Sequence, residues 1–236
     1  MTVLLGALSV ALTLGGNAFA VADVARERYC PVPVSWAGWA VLMLEGGGGT
    51  LAGSVTSALY VLACAAGCFA VAVLALRIPR ERREDPVRLP GPWPLAGGAR
   101  LDWICGPAAA GFLIVLAITR DPAWAVVVTI AADLILYVPT YGHGWRHPHD
   151  EAPLAYGLFS AGAVAAIAAA VTGTHPPRTV TVLVLALAYP VYLAVADGAM
   201  AGMVLARLAA APGPAVAAAV APGPPLDAGG ASRTTR

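Results

Sequence analysis

Charged residues are scarce in this chain, at 11% of the sequence, whereas soluble globular domains carry about 25%. Hydrophobic residues make up 59%. Several apolar runs extend for roughly 20 residues, which as a helix crosses the ~30 Å hydrocarbon core of a bilayer. The alternating pattern of a β-barrel strand is absent. The composition therefore predicts an all-α polytopic membrane protein in contact with the lipid bilayer.

Lysine is also absent, since all 14 basic residues are arginine. Without lysine no retinal Schiff base can form, which excludes a functional seven-helix rhodopsin. HExxH, a Ser/His/Asp arrangement and a phosphate-binding loop are missing too, so we expect no enzymatic activity and no cofactor. The net charge of +1 gives no indication of a nucleic-acid partner, and we expect none.

Cysteine is rare, and no two of the four form a CxxC motif. Cys64 and Cys68 lie one helical turn apart in an apolar run. Buried small hydrophobic residues are the preferred interpretation of this pair, and a redox or metal pair is the alternative.

Seven apolar segments predict membrane-spanning helices. They comprise residues 3–25, 34–48, 53–77, 101–119, 123–143, 153–172 and 179–206. The second segment is short, and the glycine run after Glu45 predicts a flexible turn. The resulting organisation is a first three-helix repeat at 1–77, a cytoplasmic loop at 78–100, a linking helix at 101–119, a second three-helix repeat at 123–207 and a disordered cytoplasmic tail at 208–236.

The distribution of arginine predicts the orientation in the membrane. With seven spans, the odd-numbered loops and the C-terminus share one side, which carries twelve arginines, and the other side carries only Arg120 and Arg178. We therefore expect a cell-membrane protein with its N-terminus outside and its C-terminus in the cytoplasm. The first twenty residues also resemble a secretory signal peptide, but they lack a basic n-region. Cleavage there would leave six spans and place the arginine-rich loop outside.

An internal repeat links the first and fifth spans. The sequences "TLGGN" at 13–17 and "TIAAD" at 129–133 share the order Thr, aliphatic, small, small, amide or acid, at an offset of 116. Spans three and seven also end alike, in "AVLALR" and "GMVLAR". One linking helix between two triplets gives both triplets the same orientation, which is a parallel repeat. Chance similarity among Ala- and Val-rich helices is the alternative.

Polar side chains form a stripe on one face of span five, where Thr129, Asp133, Tyr137 and Tyr141 are spaced by four residues. An ionisable group at the bilayer centre costs at least ~2.5–3.5 kcal/mol, so it normally faces a cavity or a partner. Polar residues of other spans would share a central cleft with this stripe, and they are Thr13, Asn17, Tyr60, Cys64, Tyr156, Ser160, Tyr189 and Asp197.

We expect a small polar solute to bind in this cleft, with Thr13, Asn17, Thr129, Asp133, Tyr137 and Asp197 as the binding residues. Asp133 would contact a polar or cationic group, or carry a coupling proton once burial favours its neutral form. The alternative for both aspartates is a hydrogen bond to a neighbouring helix that serves packing alone.

The segment "LYVPTYGHGWRHP" resembles the SWEET/PQ-loop superfamily of seven-helix transporters. Members have a Pro-Gln dipeptide toward the cytoplasmic end of the first helix of each triplet, followed by a basic residue. Pro139-Thr140 and Arg146 occupy these places here, whereas the first triplet has Asp23-Val24 and no proline. The 3+1+3 layout and the outside N-terminus fit the family as well. The resemblance implies transport of a small solute by rocking of the two triplets.

Pro139 removes a backbone donor and clashes with the preceding turn, so span five should kink there. The carbonyl near Ile135 then needs another partner. We expect Pro139 and Thr140 to form the hinge of a cytoplasmic gate, with a passive kink as the alternative.

Pro148 and two glycines argue that the helix stops early, so the three histidines in this segment are interpreted as a polar loop and not as a metal site. They are His143, His147 and His149.

Together these features predict a membrane transporter that moves a small polar solute by alternating access between two three-helix bundles, with proton coupling as an option. The alternative is a non-transporting seven-helix receptor or an assembly subunit of a membrane complex. The sequence leaves open the substrate, the coupling ion and whether the chain forms a homo-oligomer.

Overall fold

The computed structural model describes residues 1–51, 55–78, 104–108, 110, 111, 114, 115, 118, 122–173 and 180–210. The cytoplasmic loop and almost all of the tail predicted from the sequence lie outside this part of the chain. The described residues of the predicted linking helix, between 104 and 118, are helical.

Every element with defined bounds is a helix, and no strand occurs among the described residues. The α-helices are α1 (Thr2–Ala25), α2 (Pro33–Leu51), α3 (Val55–Ala75), α4 (Pro122–Arg146), α5 (Pro153–Val171) and α6 (Val180–Ala210), with a 3-10 turn at Pro148–Asp150 before α5. The predicted all-helical architecture is confirmed for these residues.

Four helical stretches are long enough and apolar enough to cross a membrane, namely Thr2–Ala25, Val126–Arg146, Pro153–Val171 and Leu187–Ala210. Shorter apolar stretches lie at Pro33–Leu44 and Leu59–Ala75. Large apolar side chains also point outward, among them Phe69, Val164 and Val195, the last with 66% of its surface exposed. An apolar exterior of this extent suits contact with lipid.

Proline marks the start of three helices and a left-handed residue ends another. Pro33, Pro122 and Pro153 occupy first helical positions, where the missing N–H costs no hydrogen bond. Glu27, just beyond α1, has a φ of 58°. The amide of the following Arg28 donates to the carbonyl of Asp23 at 2.8 Å. This C-terminal turn reverses the chain.

One local prediction is wrong and a second holds in part. The glycine run after Glu45 is not a turn, because α2 continues through it to Leu51. α4 passes through Gly142 and Gly144 and so includes His143, but it ends at Arg146, before His147 and Pro148. Glycine lowers helix propensity by only about 1 kcal/mol per residue, which tertiary context can override.

The principal contacts between helices form a closed ring in the order α1, α3, α2, α4, α6, α5 and back to α1. Exchanging α1, α2 and α3 for α4, α5 and α6 leaves this set of contacts unchanged. The first three helices therefore contact one another in the same pattern as the last three. Two interfaces join the halves, one between α1 and α5 and the other between α2 and α4.

Glycines bring the helices close at both interfaces between the halves. A Cβ on Gly16 would lie 2.6 Å from the Phe159 ring, and one on Gly38 would lie 2.5 Å from Leu136. Serine hydroxyls donate to backbone carbonyls across the same interfaces: Ser9 to Gly162 and Ser35 to Leu136, each at 2.7 Å. Small residues and serine bonds are typical of helix contacts within membranes.

Candidate functional site

A cavity lies at the centre of the ring, and all six helices contribute to its wall. Its lining residues are Asn17, Trp36, Trp39, Met43, Tyr60, Cys64, Cys68, Asp133, Tyr137, Tyr156, Phe159, Leu193 and Asp197. Its volume is about 30 Å³, counted as the space open to the centres of water molecules. This space is on the scale of a few water molecules.

The cavity brings together four of the six residues predicted to bind solute, and these are Asn17, Asp133, Tyr137 and Asp197. Thr13 and Thr129 are buried but lie outside the cavity wall. The Thr13 hydroxyl instead donates to the Ser9 carbonyl one turn earlier, at 2.9 Å. Thr13 is thus placed at the contact between α1 and α5, close to Gly162.

The two buried aspartates are held by reciprocal hydrogen bonds between α4 and α6. Asp133 is 0% exposed, and its Oδ2 accepts from the Tyr189 hydroxyl at 3.2 Å. Asp197 is 5% exposed, and its Oδ1 accepts from the Tyr137 hydroxyl. Each helix therefore supplies one carboxyl and one phenol. Asp133 Oδ1 has no hydrogen-bond partner among the described residues.

Asn17 occupies the position that matches Asp133 in the sequence repeat. Its Nδ2 donates to the Ala63 carbonyl on α3 at 2.8 Å, while its Oδ1 has no partner in the described part of the chain. Gly67 makes room for this side chain, since a Cβ there would lie 1.9 Å from Asn17 Cγ. The repeat thus places an amide and a carboxyl in the cavity from opposite halves.

Aromatic rings form much of the cavity wall, and sequence reasoning missed Trp36, Trp39 and Phe159, although it placed Tyr60, Tyr137 and Tyr156 in the cleft. Trp36 and Trp39 come from α2, and Tyr156 and Phe159 come from α5. The rings of Trp36 and Phe159 are 6.4 Å apart. The signal that could have found them is a second repeat: "PVSWAGW" at 33–39 and "PLAYGLF" at 153–159 each place aromatic residues three and six positions after the proline.

A chain of hydrogen bonds closes the end of the bundle where the α1–α2 and α4–α5 connections meet, which we name the turn end. Trp36 Nε1 donates to the Tyr29 hydroxyl at 2.9 Å, and the hydroxyls of Tyr29 and Tyr156 are 2.9 Å apart. Tyr156 donates to Glu151 Oε2 at 3.3 Å, and Glu151 Oε1 lies 2.8 Å from His143 Nδ1. We call these five residues the turn-end chain.

The direction of the turn-end chain follows from its chemistry. An indole N–H can only donate, so Tyr29 accepts from Trp36. Tyr156 donates to Glu151, so the proton between the two phenols belongs to Tyr29. All the donors up to the carboxyl therefore point toward Glu151. The amide of Cys30 adds a backbone bond to the Asp150 carbonyl at 2.9 Å, which also joins the two halves.

Glu151 was not singled out from the sequence, where it follows the polar segment with three histidines. It is only 7% exposed. Burial raises the pKa of Glu151 above its usual range, although the hydrogen bond from His143 opposes the shift. Burial and the neighbouring Glu151 also raise the pKa of Tyr29. Among the described residues, no three His, Cys, Asp or Glu side chains are grouped to hold a metal ion.

The predicted hinge lies next to a contact between the halves. Pro139 sits inside α4 and leaves the Ile135 carbonyl without its helical donor. The next carbonyl, that of Leu136, accepts the bond from Ser35 on α2. Thr140 is buried, and its hydroxyl has no partner among the described residues. A second internal proline, Pro190 in α6, was not singled out from the sequence.

The two cysteines of span three, Cys64 and Cys68, are buried in the cavity wall.

Comparison with models of known protein families, with curated proteins and with solved structures gave no match.

Proposed function

We propose that the chain is a membrane transporter that moves a small polar solute by alternating access between two three-helix bundles. One observation carries the proposal: a central cavity with two buried carboxyls lies between the two halves and receives side chains from all six helices. Ligand and ion sites inside helix bundles are built in this way, and ionisable groups buried in a membrane mark substrate or ion pathways.

The proposed bundles are residues 1–77 and 123–207, joined through the helix at 101–119 in a parallel 3+1+3 arrangement. The contact pattern of the six helices supports this division, because it is unchanged when the two halves are exchanged. The resemblance of "LYVPTYGHGWRHP" to the SWEET/PQ-loop superfamily supports it as well. Only the second half has a proline at the hinge position, namely Pro139 inside α4.

The turn-end chain acts as the closed gate in this proposal. The link between Tyr29 and Tyr156 and the bond from Cys30 to Asp150 both cross from one half to the other. Each hydrogen bond contributes a net stabilisation of about 0.5–1.5 kcal/mol, so a few such bonds stabilise the closed gate and still allow it to open. We propose from the arginine distribution that the turn end faces the cytoplasm. We propose that rocking about the α1–α5 and α2–α4 interfaces opens it.

Uptake into proteoliposomes tests the proposal. Purified protein is reconstituted and assayed with a panel of labelled polar solutes, with and without a pH gradient. We expect at least one solute to accumulate, and we expect Asp133→Asn to abolish that flux. Asp23→Asn makes the same change of carboxylate to amide outside the cavity and should retain it. Absence of flux for the whole panel, or full flux in Asp133→Asn, would contradict the proposal.

The orientation has a separate test. A reporter that is active only outside the cytoplasm is fused after Arg88 and, in a second fusion, after Arg120. We expect the Arg88 fusion to be inactive and the Arg120 fusion to be active. The reverse result would overturn the seven-span arrangement.

A further inference from the structure

The charge inside the cavity is not balanced by the protein. Asp133 and Asp197 line the same small space, and each is at least 95% buried. The lining residues include no Arg, Lys or His in the described part of the chain. Two ionised carboxylates without solvent or a positive partner are strongly disfavoured. The site must therefore take up protons or another cation.

Unpartnered oxygen atoms in the same wall indicate where that cation sits. Asn17 Oδ1, Asp133 Oδ1 and the Tyr60 hydroxyl lack hydrogen-bond partners among the described residues, as does the indole N–H of Trp39, which can only donate. Each belongs to a side chain that is more than nine-tenths buried and lines the cavity. Asn17 Oδ1 and ionised Asp133 Oδ1 can only accept hydrogen bonds, whereas the phenol can also donate. A ligand with several N–H donors and a positive charge satisfies them together.

The aromatic residues in the cavity wall indicate which class of cation the cavity binds. Six of the lining residues are aromatic, and the rings of Trp39 and Tyr137 approach to 4.7 Å beside the carboxyls. Aromatic faces attract ammonium groups through cation–π contacts. A strongly hydrated metal ion prefers more oxygen ligands than this wall offers. The space open to the centres of water molecules is only about 30 Å³, which favours a compact group.

We propose that the cavity binds a compact cation of the ammonium class in exchange for a proton held by the Asp133–Asp197 pair. The cation forms an ion pair with a carboxylate, and the displaced proton leaves the carboxylic acid for bulk water, so the charge in the cavity is unchanged. This inference deepens the proposed function, because it names the substrate class of the same cavity.

Other titratable groups also face the carboxyl pair, and none of them supplies a positive charge. They are phenols and thiols contributed by α3, α4, α5 and α6, namely Tyr60, Cys64, Cys68, Tyr137, Tyr156, Tyr189 and Tyr192. The described lining residues of α1 and α2 are not titratable. The exchange is therefore assigned to the two aspartates.

Proton release on binding tests the inference without transport. Methylammonium chloride is added to the full-length protein in detergent and weak buffer with a pH-indicating dye, and the thermal midpoint is measured in parallel. Sodium and potassium chloride at equal ionic strength are the comparison arms. We expect methylammonium to raise the midpoint and to release about one proton per cation bound. The apparent Kd of the protein for methylammonium should then fall about tenfold for each unit by which the pH rises, over the titration range of the carboxyl pair.

Three variants locate the site. Asp133→Asn should lose both signals, and Asp23→Asn should keep both. Tyr60→Phe removes one hydroxyl without changing the fold, and should weaken methylammonium binding about three- to tenfold, as expected for one lost hydrogen bond. It remains informative if the aspartate variant does not fold.

Each remaining outcome decides the question. The exchange is refuted if no cation shifts the midpoint, or if binding releases no proton. Equal effects of all three salts that persist in the variants mean nonspecific ion binding and refute the site. Preference for sodium refutes the ammonium class. Binding and proton release without any flux would support this inference and contradict the transporter proposal, so the two fail independently.

Discussion

Replacing Tyr29 by phenylalanine tests the direction of the turn-end chain. The substitution removes one hydroxyl and keeps the ring, whose centroid lies 6.1 Å from that of Trp36. It deletes two hydrogen bonds of 2.9 Å, one with Tyr156 and one from Trp36. Because the indole can only donate, Trp36 is left with a buried N–H that has lost its acceptor.

The size of the effect follows from these losses. A net hydrogen bond contributes about 0.5–1.5 kcal/mol, and a buried polar group left without a partner costs about 1–3 kcal/mol. We expect Tyr29→Phe to lower the free energy of unfolding by about 2–4 kcal/mol. Tyr156→Phe also deletes two hydrogen bonds, one of them 3.3 Å long, and it removes the acceptor of the Tyr29 hydroxyl. That hydroxyl still accepts from Trp36 and can rotate, unlike the fixed indole N–H, so the cost should be somewhat smaller, about 1–3 kcal/mol.

Reversible unfolding in mixed micelles measures these differences, followed by far-ultraviolet circular dichroism. A double-mutant cycle with Trp36→Phe isolates the orphaned donor. Trp36→Phe should cost less in the Tyr29→Phe background than in the parent protein. If Tyr156→Phe is the more damaging single change, or if the Trp36 and Tyr29 effects simply add, the assigned direction of the chain is wrong.

Three further changes test other parts of the structure. Burial raises the pKa of Glu151 in the folded protein. Its contribution to the free energy of unfolding should therefore be fully present below the unfolded pKa of about 4.3 and be lost as pH rises through the folded pKa. Glu151→Gln should remove this step from a profile of stability against pH. Gly67→Ala should cost about 1–3 kcal/mol because its Cβ displaces Asn17, whereas Gly157→Ala, which meets nothing within 4 Å, should gain about 0.5–1 kcal/mol in the same assay. Glu27→Gly should raise the thermal midpoint by relieving the left-handed backbone, worth about 1 kcal/mol, and a lowered midpoint would contradict this.

The polar residues of the cavity could be predicted from the sequence because a buried carboxyl is costly in an apolar helix. That single rule placed Asp133 and Asp197 toward the interior, where the structure puts both. The repeat offset then added Asn17 from the other half. Thr13 was also predicted to line the cleft, but it contacts α5 instead, because its hydroxyl is satisfied within its own helix.

Features that depend on pairing between distant segments could not be predicted. Glu151 lies beside exposed-looking polar residues in the sequence, and its burial follows from partners on other elements, above all His143 and Tyr156. The aromatic wall is similar, since Trp39 and Phe159 look like ordinary apolar helix residues until α2 and α5 are placed around one cavity. The glycine signals likewise misplaced the ends of α2 and α4, since both helices run on through their glycines.

The crossed links between α4 and α6 restrict how the second half can deform. Tyr189 with Asp133 and Tyr137 with Asp197 form two ties of opposite direction, one starting from each helix. One hydrogen bond lets two helices rotate about it, whereas two hydrogen bonds of opposite direction resist both sliding and rotation. The α4–α6 contact is therefore held against both movements, and the Tyr141 hydroxyl adds a third bond, to the Ala196 carbonyl at 2.6 Å. In the first half, α1 and α3 are joined by the bond from Asn17 to Ala63, so each half carries polar bonds within its own part of the cavity wall.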